Sequence, residues 1–234
     1  FFTGRDLTEE VLAETTPDVR LVVCQQQSDP SVGTPQVQFP GFAVVFRMRD
    51  PQKFAPIAEE AWQKAIGLVN FTRGQQAEPG LIIDKPTHAD VTYTTAAFSA
   101  AGQEDRSAVD TRFNFQPTLA MPGDYLILSS CDGLTRDLID AINQQQDSSR
   151  PLAGVHSVAV LGGPQLESIL NSNFDALVRQ NVVEEGNTRQ QAEQEIRIML
   201  TVLKHLRQVA VTAAATDGRS QLSVKIDFDL GPSP

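Results

Sequence analysis

From Leu222 to Leu230 apolar and polar residues take strict turns. Leu222, Val224, Ile226, Phe228 and Leu230 are interleaved with Ser223, Lys225, Asp227 and Asp229. Successive side chains of an extended strand point to opposite faces, so a period of two predicts a strand with one packed and one wetted face, as in an antiparallel sheet. A second alternating stretch puts Phe113, Phe115, Leu119 and Met121 on one side, with Arg112, Asn114, Gln116 and Thr118 on the other. Pro122-Gly123-Asp124 then turns the chain into 125–129, which predicts a β-hairpin. Phe113, Phe115, Val224 and Phe228 are thus expected to point into a core.

Other segments carry the helical period. Asp50 precedes Pro51, a capping residue followed by a residue suited to the first helical position. Beyond them Phe54, Ile57, Ala58, Ala61, Ala65 and Leu68 make one apolar stripe ending near Gly74. A short helix is expected over 6–14 and another over 133–145, with Leu134, Leu138, Ile139 and Ile142 inward. Pro164 opens a helix whose buried face runs through Leu166, Ile169, Leu170, Phe174, Leu177 and Val178 until Glu184-Glu185-Gly186-Asn187 breaks it. The helix after that presents Ile196, Met199, Leu200, Leu203 and Leu206. Strands are expected at 19–27, 42–48, 81–83, 91–98, 155–161 and 209–214, with loops at 28–40, 102–110 and 146–150. The 81–83 and 91–98 strands should pair across 85–90, and the last two strands around Asp217-Gly218. The fold class is α+β: antiparallel sheets with helices packed on one face.

A strand-then-Pro-helix layout occurs twice. Gly41 and Gly154 each open an apolar strand, and Pro51-Gln52 and Pro164-Gln165 each start a helix ten residues later. The spacing favours two related halves, 1–150 and 151–234, the second a truncated repeat packed with the first as one unit. The order strand, Asp-Pro or Gly-Pro, helix, followed by Pro-Gly-Asp-Tyr-Leu-Ile-Leu-Ser-Ser at 122–130 and another helix, resembles a group of large exported bacterial proteins of unknown function. Strands of the form Gly-Asp, a variable residue, an apolar run and Ser precede helices in those proteins, and the module recurs. The resemblance implies export, to the periplasm or cell envelope, and no known activity. The start at Phe1-Phe2 and the Gly231-Pro232-Ser233-Pro234 end read as cut points in a longer protein.

Charge narrows the partners. A formal net charge of -10 repels phosphate backbones and anionic lipid, and the basic residues are scattered, so nucleic-acid binding is disfavoured. No apolar run approaches the roughly 18 residues of a membrane span. The sequence identifies no partner; a protein or envelope component is the class left open.

Candidate chemistry is sparse. His88, His156 and His205 lack a second histidine at metal-ligand spacing, and His88 with Asp90 falls in an expected turn. Gly162-Gly163-Pro164 lacks the Lys-Ser/Thr of a phosphate loop. Asp137 with Asp140, Glu193 with Glu195, and Asp227 with Asp229 read as solvated faces. Asn70-Phe71-Thr72 matches a glycosylation acceptor without functional weight in most bacterial proteins. Cys24 and Cys131 form no close motif; two buried thiols are the leading reading and a long-loop disulfide the next. Ser129, Ser130, Cys131 and Asp132 meet where a strand gives way to a helix, and Ser130 or Asp132 is expected to cap that helix. No catalytic, cofactor-binding or metal-binding residue is assigned, and no cofactor. The reading is a non-catalytic structural or binding domain. Two alternatives stand beside it: a carrier of an apolar ligand or lipid in a sheet–helix cavity, and a hydrolase-like enzyme with a site at Ser129 to Asp132 near His88 or His156.

Overall fold

The computed structural model describes residues 6, 8–9, 13–100, 109–145, 155–216 and 219–229. The expected loops at 102–110 and 146–150, most of the first and all of the second, lie outside these residues, as do residues 7 and 10–12 of the expected 6–14 helix. The α+β class with antiparallel sheets holds. The chain divides into two compact units: the described residues within 1–35 and 39–148, and those within 36–38 and 149–234.

The first unit is built on a six-stranded sheet in the order β1-β2-β8-β7-β6-β3. Its strands are β1 (Thr15–Cys24), β2 (Gly41–Met48), β3 (Leu81–Asp84), β6 (Thr94–Phe98), β7 (Thr118–Ala120) and β8 (Tyr125–Ser129). A small ladder, β4 (Thr87–His88) with β5 (Val91–Thr92), lies within the β3-to-β6 connection. Every pairing in the six-stranded sheet is antiparallel. The predicted hairpin forms as β7 and β8, closed by Gly123 at φ 57° and by the Tyr125 amide donating to the Pro122 carbonyl.

Helix α1 (Pro51–Gln75) begins as the sequence predicts, with Asp50 accepting from the Lys53 amide at 3.1 Å. Its buried stripe is Phe54, Ile57, Ala58, Ala61, Trp62 and Ile66, whereas Leu68 is 53% exposed. The stripe turns toward Trp62 because the bulkier ring fills more of the gap over the sheet than Ala65 would. Met48, Leu119, Leu126 and Ala96 meet α1 in one apolar cluster. Ala43, Val45, Ala120 and Ile127 join Leu134, Ile139 and Ile142 of α2 (Asp132–Gln145) in another. Neighbours along a strand fall into opposite clusters, so helices cover both faces of this sheet rather than one.

The alternation expected from Arg112 to Met121 fails in its first half. Phe113 lies in a 3-10 helix, Thr111–Asn114, begun by Asp110 accepting from the Arg112 amide, and strand pairing resumes only at Thr118. A capping Asp with a donor two residues on competes locally with extension. Phe115 is 37% exposed.

In the second unit β9 (Val155–Gly162), β10 (Leu206–Thr216) and β11 (Arg219–Phe228) form a sheet in the order β11-β10-β9. Thr216 pairs with Arg219, and Asp217-Gly218, where the turn is expected, lie outside the described residues. Helices α3 (Gly163–Asn171), α4 (Phe174–Glu185) and α5 (Arg189–His205) connect β9 to β10. The single helix expected from Pro164 is therefore two. Asn173 interrupts it, its side chain donating to the Gln38 carbonyl at 2.7 Å and accepting from the Gln38 amide at 2.8 Å. Gly186, at φ 69°, stops α4 as predicted, and Thr188 with Gln191 builds a capping box for α5. Leu206 starts β10 instead of ending the helical stripe. Val224 and Phe228 are 60% and 55% exposed, so the alternation in β11 is real but its apolar face is uncovered.

Candidate functional site

The junction of β8 and α2 gathers most of the polar chemistry of the first unit. Strand β8 delivers Ser129 and Ser130 to the helix start, and each hydroxyl serves the backbone. Ser129 Oγ accepts from the Cys131 amide at 3.2 Å and donates to the Cys131 carbonyl at 2.9 Å. Ser130 Oγ accepts from the Phe42 amide at 2.9 Å, tying the junction to β2. Capping thus differs in detail from expectation: Ser130 holds a neighbouring strand, and Asp132 faces a phenol and a guanidinium.

Asp132 accepts from the Tyr93 hydroxyl at 2.5 Å and pairs with Arg136 at 2.5 Å, one turn along α2. Burial, then the hydrogen bond and negative charge of Asp132, push the Tyr93 phenol above its ordinary range. A phenol so placed holds its proton. Beside it Thr118 and Thr135, both fully buried, share a hydroxyl hydrogen bond, and Thr135 also reaches the Cys131 carbonyl at 3.2 Å.

Cys131 is itself buried over Gly41, and Cys24 packs against the same cluster. Burial raises the Cys131 thiol, opposed by hydrogen bonds from the Leu134 amide and the Ser130 and Ser129 side chains. Burial also raises the Cys24 thiol, with smaller contributions from Cys131 and Asp137.

His88 does not join the serines. Its Nε2 lies 2.9 Å from Asp140 Oδ1, on the third turn of α2. Asp132 and Asp140 are separated by about 12 Å along a helix rising 1.5 Å per residue. A base at His88 is therefore held away from Ser129 and Ser130, and a proton must be reached within hydrogen-bonding distance or through one water. The side chain of His156 lies outside the described residues. His205 closes α5, its Nδ1 3.3 Å from the Asp229 carbonyl.

Several other candidates have structural partners. Asp227 receives hydrogen bonds from Lys225 and Gln208, both at 3.1 Å, which lower its carboxyl. Glu193 pairs with Arg189, and Glu195 accepts from Asn181 and Asn187. Asn70 clasps the start of β3, accepting from the Leu81 amide at 2.6 Å and donating to its carbonyl at 2.9 Å. At Gly162-Gly163 the constraint is space, since a Cβ on Gly163 would lie 1.8 Å from the Leu206 carbonyl oxygen. Among the described residues no group of three or more His, Cys, Asp or Glu could hold a metal ion. No described helix is long and apolar enough to cross a membrane.

One open depression of about 450 Å³ lies along α5, lined by Gln190, Gln194, Arg197, Ile198 and Thr201. All of these belong to one helix face, so no second wall encloses a ligand. Sequence reasoning missed the Tyr93–Asp132–Arg136 group, and it ranked a long-loop pairing of Cys24 with Cys131 second to two separate buried thiols. Only the i, i+4 spacing of Asp132 and Arg136 hinted at that group.

The geometry defines an α+β protein of antiparallel sheets and helices whose strand–helix junction is held by side-chain-to-backbone hydrogen bonds. A scan against protein-family models, a search of curated proteins and a search of solved structures all return no match.

Proposed function

We propose that the chain is a non-catalytic structural or binding domain of an exported bacterial protein, and that it binds by pairing β11 with the same strand of a second copy. The observation that carries the binding part is β11 itself. It is an edge strand whose Leu222, Val224, Ile226 and Phe228 are 70%, 60%, 54% and 55% exposed. Val209, Val211 and Leu161 extend the same face inward across the sheet. A long apolar edge is a template for another strand.

The charges select the partner. An antiparallel pair with Ile226 facing Ile226 sets Lys225 opposite Asp227 twice and Val224 opposite Phe228. Opposite charges and apolar pairs directly across a ladder each contribute roughly 0.2–1 kcal/mol. The net charge of -10 disfavours an anionic lipid surface or a nucleic acid in the same place. Export is supported by the resemblance of 122–130 and its following helix to exported bacterial proteins. The non-catalytic part is supported by the hydroxyls of Ser129 and Ser130, both engaged with backbone groups.

Sedimentation velocity across a wide concentration range tests the reading. The expected result is a reversible dimer that Ile226→Lys abolishes and Ile226→Val keeps, with unchanged circular dichroism. A monomer at every concentration overturns the pairing, as does co-sedimentation with vesicles in place of dimerisation. Hydrolysis of a p-nitrophenyl ester that Asp132→Asn abolishes overturns the non-catalytic assignment.

A further inference from the structure

Cys24 is the last residue of β1 and pairs directly with Gly41, the first residue of β2. Directly opposed residues of an antiparallel ladder project to the same face, with Cβ atoms about 4.5–5.5 Å apart. Gly41 has no Cβ, and Cys131 uses the vacated space. A Cβ placed on Gly41 would lie 2.8 Å from Cys131 Sγ. Both cysteines belong to the cluster that α2 makes with this face of the sheet. The Cys131 sulfur thus sits beside Gly41, the residue directly across the ladder from Cys24, although the two cysteines are far apart in sequence, and both are free thiols here.

We propose that Cys24 and Cys131 are a disulfide-forming pair, with Gly41 as the gap that admits the bond. The proposal is independent of the binding role suggested above.

The reaction needs a small-molecule disulfide such as oxidised glutathione. The Cys24 thiolate, on the more accessible of the two residues, attacks one sulfur of that disulfide. One S–S bond breaks, a mixed disulfide forms, and one glutathione thiolate leaves. The Cys131 thiolate then attacks Cys24 Sγ and expels the second glutathione thiolate. Two thiol protons pass to the two departing thiolates, so one disulfide is reduced as another forms. Leu134, whose amide hydrogen-bonds Cys131 Sγ at the start of α2, favours the thiolate needed for the second attack. Burial of both thiols opposes ionisation, so the reaction in the folded protein is slow rather than sensor-like. The bond would join an edge strand to the start of α2 and close a loop of about a hundred residues, the length at which a cross-link restricts the unfolded chain strongly.

The test equilibrates the folded chain with oxidised and reduced glutathione, quenches with an alkylating agent and maps peptides by mass spectrometry without reduction. The expected product carries a Cys24–Cys131 linked peptide and no glutathione, and its Tm rises by about 10 °C until dithiothreitol reverses it. Gly41→Val, which fills the gap, should lower the linked fraction at the same redox ratio. Alkylation of both thiols under oxidising conditions overturns the proposal. So does glutathione retained on Cys24 beside a free Cys131. Cys24→Ser keeps the question open to measurement if Gly41→Val does not fold: its Cys131 should take up glutathione without a rise in Tm.

Discussion

Two threonines on adjacent strands show how the same side chain takes opposite values at residue scale. Thr95 and Thr118 are cross-strand partners, 5% and 1% exposed. The Thr118 hydroxyl bonds Thr135, whereas Thr95 Oγ1 is buried without a partner. A buried polar group lacking its bond costs roughly 1–3 kcal/mol, and a satisfied one contributes about 1 kcal/mol. Valine has nearly the same shape as threonine without the hydroxyl. Thr95→Val is expected to stabilise the chain by about 1 kcal/mol, and Thr118→Val to destabilise it by about the same amount, partly because Thr135 keeps its bond to the Cys131 carbonyl. Urea unfolding followed by Trp62 fluorescence measures both. Equal signs for the two variants would refute the assignment of these hydrogen bonds.

At the scale of elements, α1 shows what local rules can and cannot specify. Its start was legible because Asp50 and Pro51 act on their own next few residues. Its end was legible only as a position. The chain leaves through Ala77 at φ 55°, with the Glu78 amide on the Arg73 carbonyl and the Ala77 amide on the Gly74 carbonyl. That conformation favours glycine, and a side chain there costs roughly 1–2 kcal/mol, part of which the unfolded-state entropy of glycine takes back. Ala77→Gly should therefore raise the stability of the first unit by about 0.5–1 kcal/mol, read from the midpoint of Trp62 fluorescence in urea. A fall in the midpoint would show that the helix end does not need this conformation. The hairpin at Pro122-Gly123-Asp124 was legible for the same reason as the Asp50 cap. Part of what escaped was set at long range. The split between α3 and α4 depends on Asn173 meeting the backbone of Gln38, 135 residues away in sequence. The 3-10 turn at 111–114 escaped for a local reason, since the Asp110 cap cuts into an alternation that reads as strand. The candidate site followed the same divide: Ser129 and Ser130 were visible as a junction, but Tyr93 and Cys24 reach it through strand pairing and packing that spacing does not encode.

At the scale of the whole molecule, the two units are unequal. Among the described residues nearly all buried apolar side chains, Trp62 and Ile139 among them, belong to the first unit. Among the described residues, the second unit buries only Val178, Ala192 and Leu200. A stripe pattern reports which side chains share a face, not whether anything covers that face, and so β11 read as half-buried from sequence although it is open on both sides. Apolar burial at about 25 cal/mol per Å² is the main term opposing conformational entropy, so the second unit should unfold first. The single tryptophan sits in the first unit, which lets the two be followed separately. Urea should reduce far-UV circular dichroism from α3, α4 and α5 before Trp62 shifts to longer wavelength, giving two non-coincident curves. A second copy that binds only the folded sheet adds stability that grows with protein concentration. The early transition should therefore move to higher urea as concentration rises, while the Trp62 transition stays fixed, and Ile226→Lys should cancel the movement. Coincident curves would mean that the small core suffices. An early transition indifferent to concentration would mean that the apolar face of β11 gains nothing from another chain.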